Sequence, residues 1–172
     1  MIEGFATPEG TTDFARKSLA HIENFRKIQD LILSNVGIGT YLGNPDLETD
    51  IQQKNAIKQS ILHGVNVIDT AINYRAQKSE RTVGKAVSEL IEEGKIDRSE
   101  IFVSTKNGYV TNDADIQEDF MAYIMREFGK TGIVKEGDIS AQYNCVTIPF
   151  LEDQLARSQK NLGLDCIDLM YL

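Results

Sequence analysis

Three residues in this sequence, Asp69, Tyr74 and Lys106, have side chains that together could move a proton. Asp69 and Lys106 each follow a short apolar run that is typical of a buried strand, and Tyr74 comes five residues after Asp69. A lysine ammonium beside an aspartate keeps both groups charged, and it also stabilises the phenolate of a nearby tyrosine. Such a tyrosine can give a proton to a carbonyl oxygen while hydride arrives at the carbon, or take the proton back in the reverse direction.

The spacing of these residues also allows a purely structural interpretation. An aspartate that follows a strand and precedes Thr70 is often only a cap for the next loop, and a lone lysine at a strand end is usually solvated. The three residues are therefore candidates, and the elements that would position them decide between the two interpretations.

Hydrophobic periodicity predicts that strands alternate with helices along the chain. Short apolar runs predict strands at 36–40, 65–69, 101–105 and 166–172. Amphipathic spacing and capping residues predict helices over 50–63, from an N-cap at Ser79 to a stop at Gly94, and from Pro149 to Gly163. This alternation implies right-handed crossovers and a parallel sheet whose strands are buried on both faces, which is an α/β fold. No linker divides residues 1–172, so we expect a single domain.

Two segments do not follow the alternation. Residues 1–35 contain apolar runs at 25–28 and 31–33, which predict a small hairpin capping one end of the sheet. The stretch 107–147 is long for a connection between a strand and a helix, where about two to six residues are usual. It is either a wall over the substrate or a surface excursion with one packed helix. Four apolar residues at helical spacing predict that helix: Ile116, Phe120, Ile124 and Phe128.

The predicted sheet brings the three candidate residues to one edge. In parallel α/β sheets, ligands bind beyond the carboxyl ends of the strands. Asp69 and Lys106 stand at two such ends, and Tyr74 lies in the loop after the first of them. Because neighbouring strands are about 4.8 Å apart, the carboxylate and the ammonium can meet. The sequence therefore predicts one pocket that contains all three side chains.

Composition argues against several classes of partner. The chain has 172 residues, of which 41% are hydrophobic, and 26 acidic against 18 basic residues give a net charge of -8. This balance is typical of a globular protein, and it argues against nucleic acid or an anionic membrane surface as the main partner. No run approaches the roughly 18 apolar residues of a membrane span, and the first residues do not resemble a signal peptide. The two cysteines, Cys145 and Cys166, are too few for a disulfide framework or a metal site, so we expect a cytoplasmic protein without a metal.

An ordered series of short motifs resembles the N-terminal half of the aldo-keto reductases. The resemblance covers about residues 30–172 and implies a parallel (β/α)8 TIM barrel, of which this chain holds about the first four strands, because a full barrel needs about 250 residues. The motifs, in chain order, are Gly39-Thr-Tyr-Leu-Gly43, Gly64-Val-Asn-Val-Ile-Asp-Thr-Ala71, Asn73-Tyr74, Ser79-Glu80, Gly84-Lys-Ala-Val87, Ile101-Phe-Val-Ser-Thr-Lys106 and Leu162-Gly-Leu-Asp-Cys-Ile-Asp-Leu-Met-Tyr-Leu172.

The resemblance implies an NADPH-dependent oxidoreductase that reduces aldehydes and ketones to alcohols, usually without metal. It implies that Tyr74 is the general acid, that Lys106 tunes it, and that Asp69 is the carboxylate paired with the lysine. A small-molecule carbonyl compound would be the substrate and NADP(H) the cofactor. The residues that match those near the nicotinamide end of the cofactor are Gly39, Thr40, Tyr41 and Asp69.

The sequence departs from the family in one catalytic position. The family's fourth catalytic residue is a histidine that directly follows the fourth strand, and neither His21 nor His63 occupies an equivalent place. The later strands, which hold most contacts to the adenine and phosphates in the family, are not represented either. We therefore expect little activity from the chain alone, and either self-association or a need for a complementary C-terminal half. The alternative is a non-catalytic remnant or an NADP-binding regulatory half-barrel.

Overall fold

The computed structural model of the chain, which describes residues 1–140 and 142–172, begins with a helix that the sequence pattern did not predict. Helix α1 (Pro8–Lys17) starts where the Thr7 side chain accepts a hydrogen bond from the Gly10 backbone amide. Its buried face carries only one large apolar side chain, that of Phe14, which explains the weak periodic signal. A Cβ at Gly10 would lie 2.4 Å from the Ser99 carbonyl oxygen, so α1 packs closely on the rest of the fold.

A two-stranded antiparallel hairpin follows, made of β1 (Phe25–Ile28) and β2 (Leu31–Ser34). The Asn66 side chain fastens it to the main sheet: its Oδ1 accepts from the Ser34 amide at 2.8 Å, and its Nδ2 donates to the Ile32 carbonyl at 3.0 Å. Because Asn66 directly precedes a strand of the main sheet, the hairpin lies at the amino ends of the parallel strands.

The main sheet has four parallel strands in the order of the chain, β3 (Ile38–Gly39), β4 (Val67–Asp69), β5 (Phe102–Lys106) and β6 (Leu169–Tyr171). Its register pairs Ile38 with Ile68, Ile68 with Val103, and Thr105 with Met170. The predicted α/β fold with a parallel sheet is thus confirmed, and the strands are shorter than their apolar runs. The helices that connect them are α2 (Leu47–Leu62), α3 (Lys78–Glu92), α4 (Phe120–Ile124) and α5 (Ile148–Leu162).

The main core lies between this sheet and the helices α1, α2 and α3. Ile68 and Val103 of the central strands are fully buried, as are Val83 and Leu90 of α3. The prediction that the strands are buried on both faces is wrong for β6, where Leu169 and Tyr171 are exposed. The physical reason is that β6 is an edge strand, paired only with β5 among the described residues.

Helix α3 does not begin as the sequence pattern predicted. It begins at Lys78 with Gln77 in the N-cap position, and the Ser79 hydroxyl donates instead to the Thr40 carbonyl at 2.8 Å. Ser79 therefore lies inside the first turn, where it ties α3 to the end of β3.

Helices α2 and α5 each leave a large apolar side chain exposed. In α2, which starts after the N-cap Asp46, Ile51 is exposed and the buried residues are Ile57 and Ile61. In α5, Leu155 is exposed. The buried residues of this helix recur every four positions, and two of them are polar. These residues are Phe150, Gln154, Ser158 and Leu162.

The segment 107–147 has a small core of its own. The amphipathic helix predicted there is confirmed in part: α4 has five residues and continues into one π-helical turn, Met125–Gly129, and Phe120, Ile124 and Phe128 pack in one apolar cluster, while Ile116 lies outside the helix and is exposed. The wider turn changes the phase of the side chains, so the four-residue spacing in the sequence does not describe one regular helix. The second apolar cluster contains Val110, Tyr123, Ile124, Phe128, Val134, Cys145 and, from α5, Phe150.

Two kinds of feature are absent from residues 1–140 and 142–172. No helix there is long and apolar enough to cross a membrane. No group of three or more His, Cys, Asp or Glu side chains there is arranged to hold a metal ion.

Candidate functional site

Asp69, Tyr74 and Lys106 lie together at the carboxyl ends of β4 and β5. Lys106 Nζ donates to Asp69 Oδ2 at 2.7 Å and to the Thr70 carbonyl oxygen at 2.9 Å. The same Nζ lies 4.6 Å from the centroid of the Tyr74 ring. The structure thus brings the three candidate side chains into one site, with the ammonium between the carboxylate and the phenol.

Lys106 is held in its charged form by these neighbours. Partial burial alone would lower the pKa of its ammonium, but the interactions with the side chains of Asp69 and Tyr74 outweigh that effect and raise the pKa above its ordinary value. The Lys106 side chain keeps 33% of its surface exposed, so the site is open on one side.

Ser104 fixes the second oxygen of the aspartate. Its hydroxyl donates to Asp69 Oδ1 at 3.0 Å, so the Asp69 carboxylate is held by Ser104 at one oxygen and by Lys106 at the other. No sequence motif had indicated a role for Ser104. Its position two residues before Lys106 places both side chains on one face of β5, and that spacing could have indicated it.

The end of β3 holds Tyr41 over Tyr74. The Thr40 amide donates to the Asp69 carbonyl at 3.1 Å, and its buried hydroxyl donates to the Thr70 hydroxyl at 2.8 Å. The Tyr41 and Tyr74 rings then meet edge to face, with centroids 5.0 Å apart. Tyr41 remains 65% exposed, which leaves its outer side open to a ligand.

The loop after Tyr74 has an unusual backbone. Three consecutive residues other than glycine, Arg75, Ala76 and Gln77, have positive φ angles of 51°, 50° and 76°. Such conformations each cost on the order of 1 kcal/mol or more, so surrounding contacts must hold them. Arg75 supplies several: its guanidinium donates to the Asn44 carbonyl at 2.8 Å and to Gln53 Oε1 at 2.9 Å.

The segment 107–147 braces the other side of this loop. Gln77 Nε2 donates to the Asn112 carbonyl at 3.1 Å, and the Ala114 amide donates to the Ala76 carbonyl at 3.1 Å. Lys78 bridges the segment to α2, since its Nζ lies 2.9 Å from Asp115 and 3.0 Å from Asp50. The segment is therefore attached directly to the loop that carries Tyr74.

Glu80 connects α3 to the strand residue next to Lys106. It is fully buried, and its Oε1 accepts from the Thr105 hydroxyl at 2.7 Å while its Oε2 accepts from Asn161 at 2.9 Å. Burial raises the pKa of the Glu80 carboxyl above its ordinary value, against the opposing effect of these hydrogen bonds. Glu80 matches the family motif, but the sequence analysis gave it no role.

The residues predicted to lie near a cofactor differ in whether they border open space. A Cβ added at Gly39 would meet no atom within 4 Å, so this strand end borders open space. Thr40 is buried with its hydroxyl bonded to Thr70, and it holds the strand ends together instead of facing that space. The open space at Gly39, the outer side of Tyr41 and the Asp69 carboxylate fit a planar nicotinamide ring with an amide group.

Neither histidine belongs to this site. His63 is the C-cap of α2, near the amino end of β4, whereas Asp69 ends that strand. His21 caps the short helical turn Ile22–Asn24, which precedes the hairpin. Among the described residues, the site thus has three of the four groups expected from the family resemblance.

The sequence of this chain is similar to those of known proteins. The model of the aldo/keto reductase family matches residues 35–172. Among curated proteins, the NADH-specific methylglyoxal reductase of Escherichia coli (strain K12) is 28% identical over 145 residues, which cover 81% of this chain and 38% of that protein. The chain therefore spans less than half the length of this relative.

Solved structures show the same fold. A holo-form aldo-keto reductase from Bacillus halodurans superposes with a TM-score of 0.56 at 21% identity, over 86% of this chain and 39% of that one. An aldo/keto reductase from Klebsiella pneumoniae, in complex with NADP and acetate, gives a TM-score of 0.51 at 18% identity, over 83% and 36% of the two chains. The four parallel strands correspond to part of the barrel in these proteins.

Proposed function

The chain belongs to the aldo/keto reductase family, and on this basis we propose that its site takes part in reducing the carbonyl group of an aldehyde or ketone to an alcohol. The observation that carries the proposal is the position of Lys106 Nζ, 2.7 Å from the Asp69 carboxylate and 4.6 Å from the centroid of the Tyr74 ring. Because the chain spans 38% of its curated relative, the activity of the whole protein is part of the proposal.

In this proposal Tyr74 gives its phenolic proton to the carbonyl oxygen. The carbonyl carbon gains a hydride, its oxygen gains the proton, and the product is the alcohol. The Lys106 ammonium stabilises the phenolate that remains, and Asp69 keeps the ammonium charged and in place. Ser104 and Thr70 restrict the movement of this pair through their bonds to Asp69 Oδ1 and to Lys106 Nζ.

We further propose a nicotinamide dinucleotide as the cofactor, with its ring near Gly39, Tyr41 and Asp69. When bound, it would supply the hydride. The family resemblance favours NADP(H), whereas the Escherichia coli relative is an NADH-specific reductase, which makes NADH the alternative. Titrating both reduced forms into the protein, with fluorescence as the readout, distinguishes them.

The test of the function is the variant Tyr74→Phe, which removes the proton and keeps the ring. A positioned general acid contributes about 100- to 10,000-fold to a rate, so in any active form of the protein carbonyl-dependent oxidation of the reduced cofactor should fall by at least about 100-fold. Circular dichroism checks that the variant keeps its fold. Equal rates for both proteins would contradict the assignment of Tyr74.

A second candidate is a half-barrel that binds NADP(H) without turnover. It is favoured by the positions of His21 and His63, which both lie away from the site. This candidate predicts cofactor binding together with no reduction of any carbonyl compound and no effect of Tyr74→Phe.

We also propose that this chain pairs through its open sheet edges, either with a second copy or with a complementary C-terminal half. The support is the edge position of β3 and β6 among the described strands and the exposure of apolar side chains there.

A further inference from the structure

We propose that Asn161, a residue of α5, is a positioning residue that holds Tyr74 beside Lys106. Asn161 lies outside the group formed by the candidate side chains and acts on them through Gln77 and Glu80. The inference deepens the proposed function and rests on it, since proton transfer from Tyr74 needs the Lys106 ammonium beside the phenol.

The amide group of Asn161 has three partners. Its Nδ2 donates to Gln77 Oε1 at 3.2 Å and to Glu80 Oε2 at 2.9 Å. Its Oδ1 accepts from Arg81 Nε at 3.1 Å. Because an arginine only donates, Arg81 fixes the oxygen of the amide on its own side, and the amide hydrogens point toward Gln77 and Glu80. One side chain of α5 thus contacts both the loop after Tyr74 and the first turn of α3.

The first of these contacts leads to Tyr74. Gln77 ends the loop that follows Tyr74, with a φ angle of 76°, and only 3% of its surface is exposed. Its Oε1 faces Asn161, and its Nε2 donates to the Asn112 carbonyl at 3.1 Å. The Ser79 amide donates back to the Tyr74 carbonyl at 3.4 Å, which closes the loop. A displacement of Gln77 is therefore passed on to Tyr74.

The second contact leads to the strand of Lys106. Glu80 accepts from Asn161 at Oε2 and from the Thr105 hydroxyl at Oε1, the latter at 2.7 Å. Thr105 directly precedes Lys106 in β5, and successive side chains of a strand point to opposite faces. Because Glu80 and Thr105 are both fully buried, water does not replace the hydrogen bond between them.

The packing of α3 on α5 fixes the backbone at Asn161. A Cβ added at Gly84 of α3 would lie 2.4 Å from the Leu162 carbonyl oxygen and 3.0 Å from that of Asn161. The helices approach this closely because residue 84 is a glycine. The amide of Asn161 therefore projects from a rigid contact between the two helices.

Tyr74 depends on this connection more than Lys106 does. Lys106 and Asp69 lie on neighbouring strands, so their ion pair persists without Asn161. Tyr74 lies on a loop in which residues 75–77 have positive φ angles and need contacts from outside the loop. Loss of the Asn161 amide should therefore let the Tyr74 ring move away from Lys106 while the ion pair remains.

The test measures the ring-current shift that Tyr74 imposes on the Lys106 side chain. Protons above an aromatic ring are shifted upfield, and Lys106 Nζ lies over the Tyr74 ring. NMR of the 172-residue chain, labelled in lysine, reports this shift without cofactor or substrate. Tyr74→Leu removes the ring and gives the reference value. We expect Asn161→Leu to lose most of the shift.

Two controls separate this effect from general damage to the fold. Asn55→Leu makes the same substitution at an exposed position of α2 and should keep the shift. Ile61→Val removes a methyl group from the buried core at α2 and lowers stability without touching the connection, so it should keep the shift as well.

Two further variants test the connection itself. Asn161→Asp covers the case in which leucine prevents folding, because aspartate keeps the shape and still accepts from Arg81 but cannot donate to Gln77 and repels Glu80. Gln77→Gly removes the side chain that leads to Tyr74, and glycine adopts the positive φ without strain. Both variants should lose the shift. A folded Asn161→Asp or Gln77→Gly protein with the shift of wild type would overturn the inference.

The inference and the proposed function fail in different ways. If carbonyl reduction is absent but the Asn161 variants still lose the shift, the function is wrong and the geometric role of Asn161 remains. If carbonyl compounds are reduced and the shift survives in those variants, the function stands and the inference fails. In any active form of the protein, Asn161→Leu should lower kcat and leave the KM for the reduced cofactor unchanged.

Discussion

The Arg75 guanidinium forms an ion pair with the Asp50 carboxylate directly behind the loop that carries Tyr74. The Arg75 side chain is 1% exposed and that of Asp50 is 18% exposed, so the pair is largely removed from water. Burial alone would raise the pKa of the Asp50 carboxyl, but the hydrogen bonds from Lys78 and Arg75 outweigh it and lower that pKa. This ion pair fixes the loop to α2 and stabilises the positive φ angles of the three residues that follow Tyr74.

Removing the arginine should cost considerable stability. Arg75→Ala removes the more buried of the two cations that pair with Asp50, and because Lys78 still pairs with that carboxylate we expect a loss on the order of 2 kcal/mol, below the cost of a fully unpaired buried charge. Urea unfolding should show this loss, together with a raised KM or lowered turnover in any active form of the protein. The control is Arg16→Ala, which breaks the exposed ion pair with Asp13 and should change little. Equal stabilities of the two variants would contradict the role of Arg75.

The pairing of Lys106 with Asp69 predicts how the reaction rate depends on pH. Because the pKa of Lys106 is raised, its ammonium persists through neutral pH and is lost only as the pH rises above the ordinary lysine value of 10.5. Asp69→Asn removes a partner that raises this pKa, so the contribution of the ammonium to the alkaline limb of the rate profile should move to lower pH. Lys106→Met should remove most of the activity, because no cation then stabilises the Tyr74 phenolate, while Lys27→Met, on the hairpin, serves as the control.

An alkaline limb in the same place for wild type and Asp69→Asn would count against this assignment. A purely structural role for Asp69 would lower the rate at all pH values by one factor, without moving the limb. The shift of the profile therefore separates tuning of Lys106 from general damage to the fold.

Glu80 should make stability depend on pH with the opposite sign to most carboxylates. Its pKa is raised in the folded state, so the folded protein binds its proton more tightly than the unfolded chain does. Its contribution to stability is complete below its unfolded pKa, near the ordinary value of 4.5, and is lost as the pH rises through the folded pKa. Glu80→Gln keeps the shape without the charge, so its stability relative to wild type should increase from acid to neutral pH.

Urea unfolding of both proteins across that pH range measures the difference directly. Taking the difference cancels the contributions of all other carboxyl groups, such as the paired Asp168, that are common to both proteins. A difference that does not vary with pH would mean that Glu80 has the same pKa in the folded and unfolded states.

The sequence was sufficient to locate Asp69 and Lys106, because both stand at the ends of apolar runs and parallel strands place such ends on one edge. It was not sufficient for Arg75, whose role depends on three left-handed residues that no capping or turn signal marks. The hydrogen bonds that join residues 108–110 to 143–145 were also out of reach, because they pair opposite ends of a long segment. The helix predicted in that segment is shorter than its four apolar residues indicate, because Ile116 lies outside it, and its last turn is π-helical.

The exposed edge of the sheet at β6 predicts that the chain associates. In β6, Leu169 is 36% exposed and Tyr171 is 49% exposed, and the strand pairs on one side only within the described part of the chain. Unpaired strands with apolar side chains associate with further strands unless a charge prevents it. We therefore expect the 172-residue chain to elute as a dimer or larger species in size-exclusion chromatography with light scattering.

Leu169→Lys places a charge on this edge and should shift the population toward monomer. Leu19→Lys, at a site that is 84% exposed in the N-terminal segment, adds the same charge away from the edge and should leave the association unchanged. A monodisperse monomer of the unaltered chain would show that this edge does not need a partner.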